Sequence, residues 1–156
     1  MPTIKNASIL INALGGPEVL QYVESDIPTP SVGQVRVKNI AAGVAYADLL
    51  MRRGLYPNTP PFPFAPGYDI VGVIDALGEG AKDFSVGQRV AALTMTGGHS
   101  RYTIVSANHL VRVPPNLDPA EAVSLVLNYV TAYQMLHRVA HAQKASASWS
   151  TALPAV

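Results

Sequence analysis

PGYDIVGVIDALGEG, residues Pro66–Gly80, decides how the rest of the chain is read. Pro66-Gly67 opens it as a turn. From Tyr68 to Ile74 there are enough β-branched residues for a strand buried on at least one face. Leu77-Gly78-Glu79-Gly80 closes it, with glycines suited to the positive φ of a tight turn. One polar pair, Tyr68-Asp69, stands at the mouth of this otherwise apolar element. Whether that pair serves a metal, a cofactor or only the fold decides the function class.

On both sides lie more short strand signals. Ala7 to Leu14 reads as a strand closed by Gly15-Gly16-Pro17, and Leu20 to Ser25 as a second. Ile27-Pro28-Thr29-Pro30 forbids ladder pairing, because a proline has no N–H to donate. Val35 to Ile40 alternates apolar and polar residues, the period of a half-buried strand. Tyr46 to Arg53 reads as a short helix ended by Gly54. Tyr56 to Pro66 holds five prolines and two phenylalanines and reads as a stiff, ordered loop over the core. Arg89 to Leu93, His99 to Val105 and Leu110 to Val113 are further strands, with Thr94 to Gly98 a glycine-ended loop. Many short strands with regular turn signals predict a β-barrel or sandwich.

The pattern changes at Asp118. Asp118-Pro119-Ala120-Glu121 combines an N-cap acid, proline at the first helical position and an acid in the first turn. Helical sequence is expected to about His141, with a break near Asn128. The predicted organisation is a β domain over 1–118, a helical connection over 119–144, and an atypical tail, ASASWSTALPAV, over 145–156.

Composition narrows the classes. Of 156 residues, 49% are hydrophobic and 13% charged, which excludes disorder and favours a well-buried core. The net charge is +1, and Arg52-Arg53, the only basic pair, has no aromatic platform beside it. Nucleic-acid binding is therefore not expected, and the pair reads as solvated helix-end charge. The absence of cysteine excludes disulfides and thiolate metal sites. Ala7 to Leu14 is too short and too polar for a membrane span or a signal core, so a soluble, cytoplasmic protein is the expectation.

Five ordered motifs then resemble one family. GVAYAD (Gly43–Asp48), RGLYP (Arg53–Pro57), PGYDIVGVIDALGEG, VGQRVAAL (Val86–Leu93) and LNYVTAYQML (Leu127–Leu136) look like the N-terminal, GroES-like catalytic domain of medium-chain dehydrogenases/reductases. The nearest branch is the zinc-independent, quinone-oxidoreductase-like enzymes, and the resemblance covers roughly residues 5 to 144. It implies a β-barrel packed against a Rossmann domain, with NADPH in the cleft between them. The implied reaction reduces a quinone or an enone by hydride transfer.

Zinc needs Cys, His or carboxylate ligands converging at bond distance. Zinc-dependent relatives place Cys at the position of Ala45 and His-Glu at Tyr68-Asp69. Alanine cannot ligate zinc, and a neutral phenol is a poor ligand. His137 and His141 are four residues apart, but no acid joins them, so they read as surface histidines. No metal site is expected.

Without a metal, hydride transfer rests on placement. Carried over by motif, Ala45 and Tyr46 would lie beside the nicotinamide, Tyr56 and Tyr68 at the substrate cleft, and Thr131 in the cofactor cleft. Tyr56 and Tyr46 are the candidate catalytic hydrogen-bond donors, against the alternative that each is a half-buried tyrosine with a satisfied hydroxyl. The family often has Asn at the position of Ala45, whose amide can bond the cofactor; alanine removes that anchor. Asp48 reads as the cap of the Tyr46–Arg53 helix, and Asp69 as a backbone acceptor rather than a base.

No GxGxxG occurs in the chain, and Gly78-Glu79-Gly80 is followed by no helix signal. One permitted back-translation of residues 145–156, read with one G restored in front, gives GQRVLVHGASGG, a strand and glycine-rich turn. A single-base frameshift before Ala145 is therefore the expectation, with an unrelated tail on a stand-alone domain as the alternative. The chain alone is then expected to bind NADPH weakly and to self-associate, as a homodimer for instance. A non-enzymatic GroES-like module is the competing class.

Overall fold

The computed structural model describes residues 4–143. Among the described residues there are seven strands: β1 Asn6–Ile11, β2 Leu20–Ser25, β3 Gln34–Ala42, β4 Asp69–Leu77, β5 Arg89–Leu93, β6 Tyr102–Ser106 and β7 Leu110–Arg112. β1 and β2 pair as an antiparallel hairpin. The other five form one antiparallel sheet in the order β6-β3-β4-β5-β7. A bridge from Ser8 to Ser100 and another from Ile11 to Phe64 join the hairpin to loops of the sheet domain. The architecture is mainly β, as expected, with helix concentrated at the C-terminal end.

β4 is the centre of the sheet, between β3 and β5, and its first four residues are all buried. Its alternation sends side chains to two cores. Ile70 and Ile74 pack with Val35, Val37, Val90 and Val105 on one face, while Val71 packs with Ala91 against Ala122 and Val123 on the other. Those two residues lie on α2, Pro119–Ser124, so the helix covers the second face. Asp118 starts α2 as the sequence indicates, its Oδ1 accepting the N–H of Ala120 at 2.8 Å and of Glu121 at 3.2 Å.

A third cluster gathers Ile11, Ala45, Met51, Phe64 and Tyr68. It lies where β1, the proline loop and α1, Tyr46–Arg52, converge. Tyr56 and Leu127 pack against it. This small core positions the candidate site.

Several boundaries differ from the sequence reading. β1 stops at Ile11, leaving Leu14 exposed. β4 begins at Asp69 because the preceding backbone is bonded elsewhere: Thr94 N–H donates to the Tyr68 carbonyl at 2.8 Å, and His99 N–H to Pro66 at 2.9 Å. β6 begins at Tyr102, since Ile9 N–H takes the His99 carbonyl and Arg101 N–H takes that of Ala7. The helix after Asp118 does not break at Asn128. It runs on through π turns at Leu125–Tyr129 and Met135–Val139, with α3, Val130–Gln134, between them.

Arg52 is a correction. It is buried, not a solvated end charge. Its carbonyl accepts the Gly15 N–H at 3.1 Å, which brings the loop after β1 onto the last turn of α1, with Glu18 close enough to feel its charge. His137 and His141 are exposed as expected, His137 against the ring of Tyr133. The tail and its frameshift reading lie outside the described residues. Among the described residues no helix is long and apolar enough to cross a membrane.

Candidate functional site

The Gly43–Ala45 loop links the end of β3 to α1 and is held by three polar side chains. Gly43 N–H donates to Asp69 Oδ1 at 3.1 Å and to the Asp69 carbonyl at 3.3 Å. His99 Nε2–H donates to the Gly43 carbonyl at 2.9 Å. Ala45 N–H donates to Asp48 Oδ2 at 2.8 Å, and Asp48 N–H returns to the Ala45 carbonyl at 3.0 Å. A side chain on Gly43 would strike the Asp69 carboxylate, so that closeness requires glycine here.

Asp69 is fully buried. Burial raises its pKa above the ordinary carboxylate range, and the nearby Asp48 pushes it further. The N–H groups of Gly43 and Leu127 and the imidazole of His99 oppose that rise without cancelling it. Both acids therefore act on backbone rather than on solvent.

Tyr56 and Tyr68 meet hydroxyl to hydroxyl at 2.8 Å, their rings edge to face with centroids 6.3 Å apart. Tyr68 is buried and Tyr56 half-buried. The hydrogen bond with Tyr56, followed by burial, pushes the Tyr68 pKa up to about 12. Tyr56 also lines a cleft of about 290 Å³ with Met51, Pro57, Asn58, Pro60, Met95 and Thr96. A larger apolar groove of about 430 Å³ runs between β5, β7 and the helix, lined by Val130 among others but by none of the site residues.

The sequence-derived site residues thus divide. Tyr56 and Tyr68 form one unit. Ala45 is buried in the same cluster as Tyr68. Tyr46 is 60% exposed at the start of α1, outside the hydroxyl pair. Thr131 stands exposed on α3, one turn beyond Leu127. His99, Met51 and Met95 were not singled out from the sequence, where nothing links them to the tyrosines.

A dinucleotide fits these residues only in part. Ala45 offers a methyl and an N–H already taken by Asp48, and Tyr46 an exposed ring; both suit the edge of a flat ring. Gly78–Gly80 leads into a turn rather than a helix, so the described residues include no glycine-rich cradle for a pyrophosphate. No group of three or more His, Cys, Asp or Glu among the described residues could hold a metal ion.

Comparison with known proteins decides the family. Residues 31–115 match the model of the alcohol dehydrogenase GroES-like domain. The quinone oxidoreductase of Lama guanicoe is 36% identical over 132 residues, 83% of this chain and 40% of that protein. This chain belongs to the medium-chain dehydrogenases/reductases, in their quinone-oxidoreductase branch. As a member of that family it superposes on the Escherichia coli quinone oxidoreductase solved with NADPH, with a TM-score of 0.79 and 30% identity. The match covers 85% of this chain and 41% of that one. The human synaptic vesicle membrane protein VAT-1 homolog-like protein gives a TM-score of 0.83 at 27% identity, covering 90% and 45%. The chain spans about 40% of the quinone oxidoreductase it matches.

Proposed function

We propose that this chain is the substrate-side catalytic domain of a cytoplasmic, zinc-independent reductase that acts on quinones or activated C=C bonds with NADPH. Residues 1–118 form the catalytic unit in this reading, and 119–144 lead towards a dinucleotide-binding domain that these residues do not encode. The observation that carries it is the Tyr56–Tyr68 hydroxyl pair at the cleft, in a chain of this family.

NADPH, when bound, supplies a hydride, and the acceptor takes that electron pair together with one proton. Tyr56 donates a hydrogen bond to the acceptor's carbonyl oxygen, where negative charge develops. Tyr68, protonated at neutral pH because its pKa is about 12, donates to the Tyr56 oxygen and leaves the Tyr56 proton for the acceptor. Ala45 and Tyr46 would border the flat ring of the cofactor, and Thr131 would face its cleft. Asp48, Asp69 and His99 hold the loop that carries Ala45.

The test is NADPH oxidation with menadione as acceptor, for this chain alone and for its fusion to the dinucleotide-binding part of a solved quinone oxidoreductase. Turnover is expected in the fusion and little in the chain alone. Tyr56→Phe should lower the fusion's kcat by about tenfold or more. An unchanged kcat would remove Tyr56 from the chemistry, and micromolar NADPH affinity for the chain alone would overturn the division of labour.

A second reading, self-association, has its own support. Leu125, Tyr129, Val130, Tyr133, Met135 and Val139 leave the helix with exposed apolar side chains. A homodimeric mass in sedimentation would support it, and a monomer at high concentration would not.

A further inference from the structure

Three residues, Gly43, Val44 and Ala45, link β3 to α1, and every backbone polar group of Gly43 and Ala45 is taken. Gly43 N–H goes to Asp69, and Ala45 is bonded to Asp48 through both its N–H and its carbonyl. The Gly43 carbonyl has one partner, the His99 imidazole at 2.9 Å. A carbonyl oxygen only accepts, so the ring carries its proton on Nε2 here. Glycine has the widest backbone range of any residue, and a side chain at this position would strike Asp69. The bonds to Asp69 and His99 therefore supply a restraint that no side chain on residue 43 can supply.

The Gly43–Val44 peptide bond is trans, so its C=O and N–H point to opposite edges of one plane. Drawing the Gly43 oxygen onto His99 turns the Val44 N–H the other way. Val44 is 69% exposed, and among the described residues no acceptor takes its N–H. It lies outside α1 and directly precedes Ala45 and Tyr46. His99 is itself anchored at both backbone groups. Its N–H donates to the Pro66 carbonyl at 2.9 Å, and its carbonyl accepts the Ile9 N–H at 2.9 Å. Gly98 beside it packs on Gly67 with no room for a Cβ. The imidazole thus stands on backbone that β1 and the Pro66–Gly67 turn hold from two sides, and only two side-chain torsions remain to place Nε2.

We propose that His99 is a positioning residue for the cofactor: by fixing the plane of the Gly43–Val44 peptide, it holds the Val44 N–H as a hydrogen-bond donor to an oxygen of the bound dinucleotide. This backbone donor stands beside Ala45, whose methyl can make no such bond. That the ligand is a dinucleotide rests on the reductase reading above. Carboxamide and phosphate oxygens share the acceptor chemistry, and the test separates them. Asp69 still holds the Gly43 N–H when His99 is changed, so the loop keeps its place while the peptide plane loses its fixed orientation.

The test starts from the ¹⁵N-labelled chain without ligand. Long-range ¹H–¹⁵N spectra of the four histidines should show His99 as the Nε2–H tautomer. Titration with reduced nicotinamide mononucleotide should then move the Val44 amide signal. Reduced nicotinamide riboside keeps the carboxamide and lacks the phosphate, so it should move Val44 equally if the carboxamide is the acceptor and leave it still if the phosphate is. His99→Phe keeps a ring without a donor and should abolish the movement, while His99→Gln returns an N–H near the place of Nε2 and should restore it. In the fusion, His99→Phe should raise KM for NADPH by about threefold to tenfold, the worth of one hydrogen bond, with kcat changed by about twofold at most. His99→Gln should bring KM back towards the parent. A Val44 signal still with both ligands, an Nδ1–H tautomer, full movement in His99→Phe, an unchanged KM, or no recovery in His99→Gln would each overturn the proposal. Should His99→Phe fail to fold, the parent titration and His99→Gln decide. The amide readout needs no turnover, so a failed reductase assay leaves it standing, and a still Val44 signal beside an active fusion removes this proposal alone.

Discussion

Asp48 ties helix α1 to the turn before Tyr68: its Oδ1 accepts the Gly67 N–H at 2.9 Å while its Oδ2 holds the Ala45 N–H at 2.8 Å. One buried carboxylate thus fixes two backbone segments on either side of the candidate site. Two backbone N–H groups depend on this one side chain, and removing it leaves both unpaired in the interior. Asp48→Ala should destabilise the chain by about 2–4 kcal/mol in urea unfolding. Asp48→Asn keeps the shape but turns an amide N–H₂ towards one of the two donors, so it should recover only part of that loss. A substitution of either kind within 0.5 kcal/mol of the parent, about the scatter for exposed sites, would remove Asp48 from this role.

Gly67 cannot be replaced cheaply. Its φ is 103°, and a Cβ there would meet the backbone of Gly98 and His99. Both the conformational penalty and the collision fall on backbone, which has no side chain to swing aside. Gly67→Ala should cost about 2–4 kcal/mol and also disturb the Tyr68 carbonyl that anchors Met95. Thermal unfolding gives the first effect, and the Met95 methyl signal reports the second.

What could be read from sequence depended on whether local signals set the outcome. β2 and β5 have the expected bounds, Leu20–Ser25 and Arg89–Leu93, each following a turn. The Asp118 cap is equally local. By contrast, β4 starts at Asp69 and β6 at Tyr102 because residues far away in the chain take the neighbouring backbone groups. Arg52 is buried only because the loop after β1 lands on its helix end, which no periodicity records. Within the site, the RGLYP and PGYD motifs pointed to Tyr56 and Tyr68 separately, while their contact comes from the folding of the proline loop onto β4. The Thr94–Gly98 stretch reads as a loop from its glycines, but the hold of Tyr68 on Met95 has no sequence signature at all.

Asp69 should make stability fall as pH rises through mildly acidic values. Its folded pKa lies above the unfolded one, mainly from burial, so between the two the native state binds more protons. The favourable contribution is therefore complete below the ordinary carboxylate pKa and lost as pH climbs through the raised one. Asp69→Asn keeps an oxygen for the Gly43 N–H without the buried charge. It should flatten the stability profile from the ordinary carboxylate pKa upward, through the raised one. Urea midpoints across that range would show the difference, and identical slopes for parent and variant would contradict it.

Tyr68 should ionise well above the pH of an ordinary tyrosine. Its pKa of about 12 reflects the hydrogen bond with Tyr56 first and burial second, and both favour the protonated phenol. The native state therefore retains a proton that the unfolded chain releases near pH 10, and stability should decline as pH rises from about 10 to 12. Absorbance titration of the seven tyrosines should show a late phase, reversible only where the fold survives. Tyr56→Phe removes the larger cause and leaves burial, so the late phase should move to lower pH without vanishing. The same variant strands a buried hydroxyl, which should cost about 1–2 kcal/mol at neutral pH. Tyr68→Phe instead should remove the Tyr68 share of the late phase and leave that of Tyr22, whose hydrogen bond to Glu24 also raises its pKa. A late phase that persists unchanged in Tyr68→Phe would assign it to another tyrosine and break the link between the pair and the cleft.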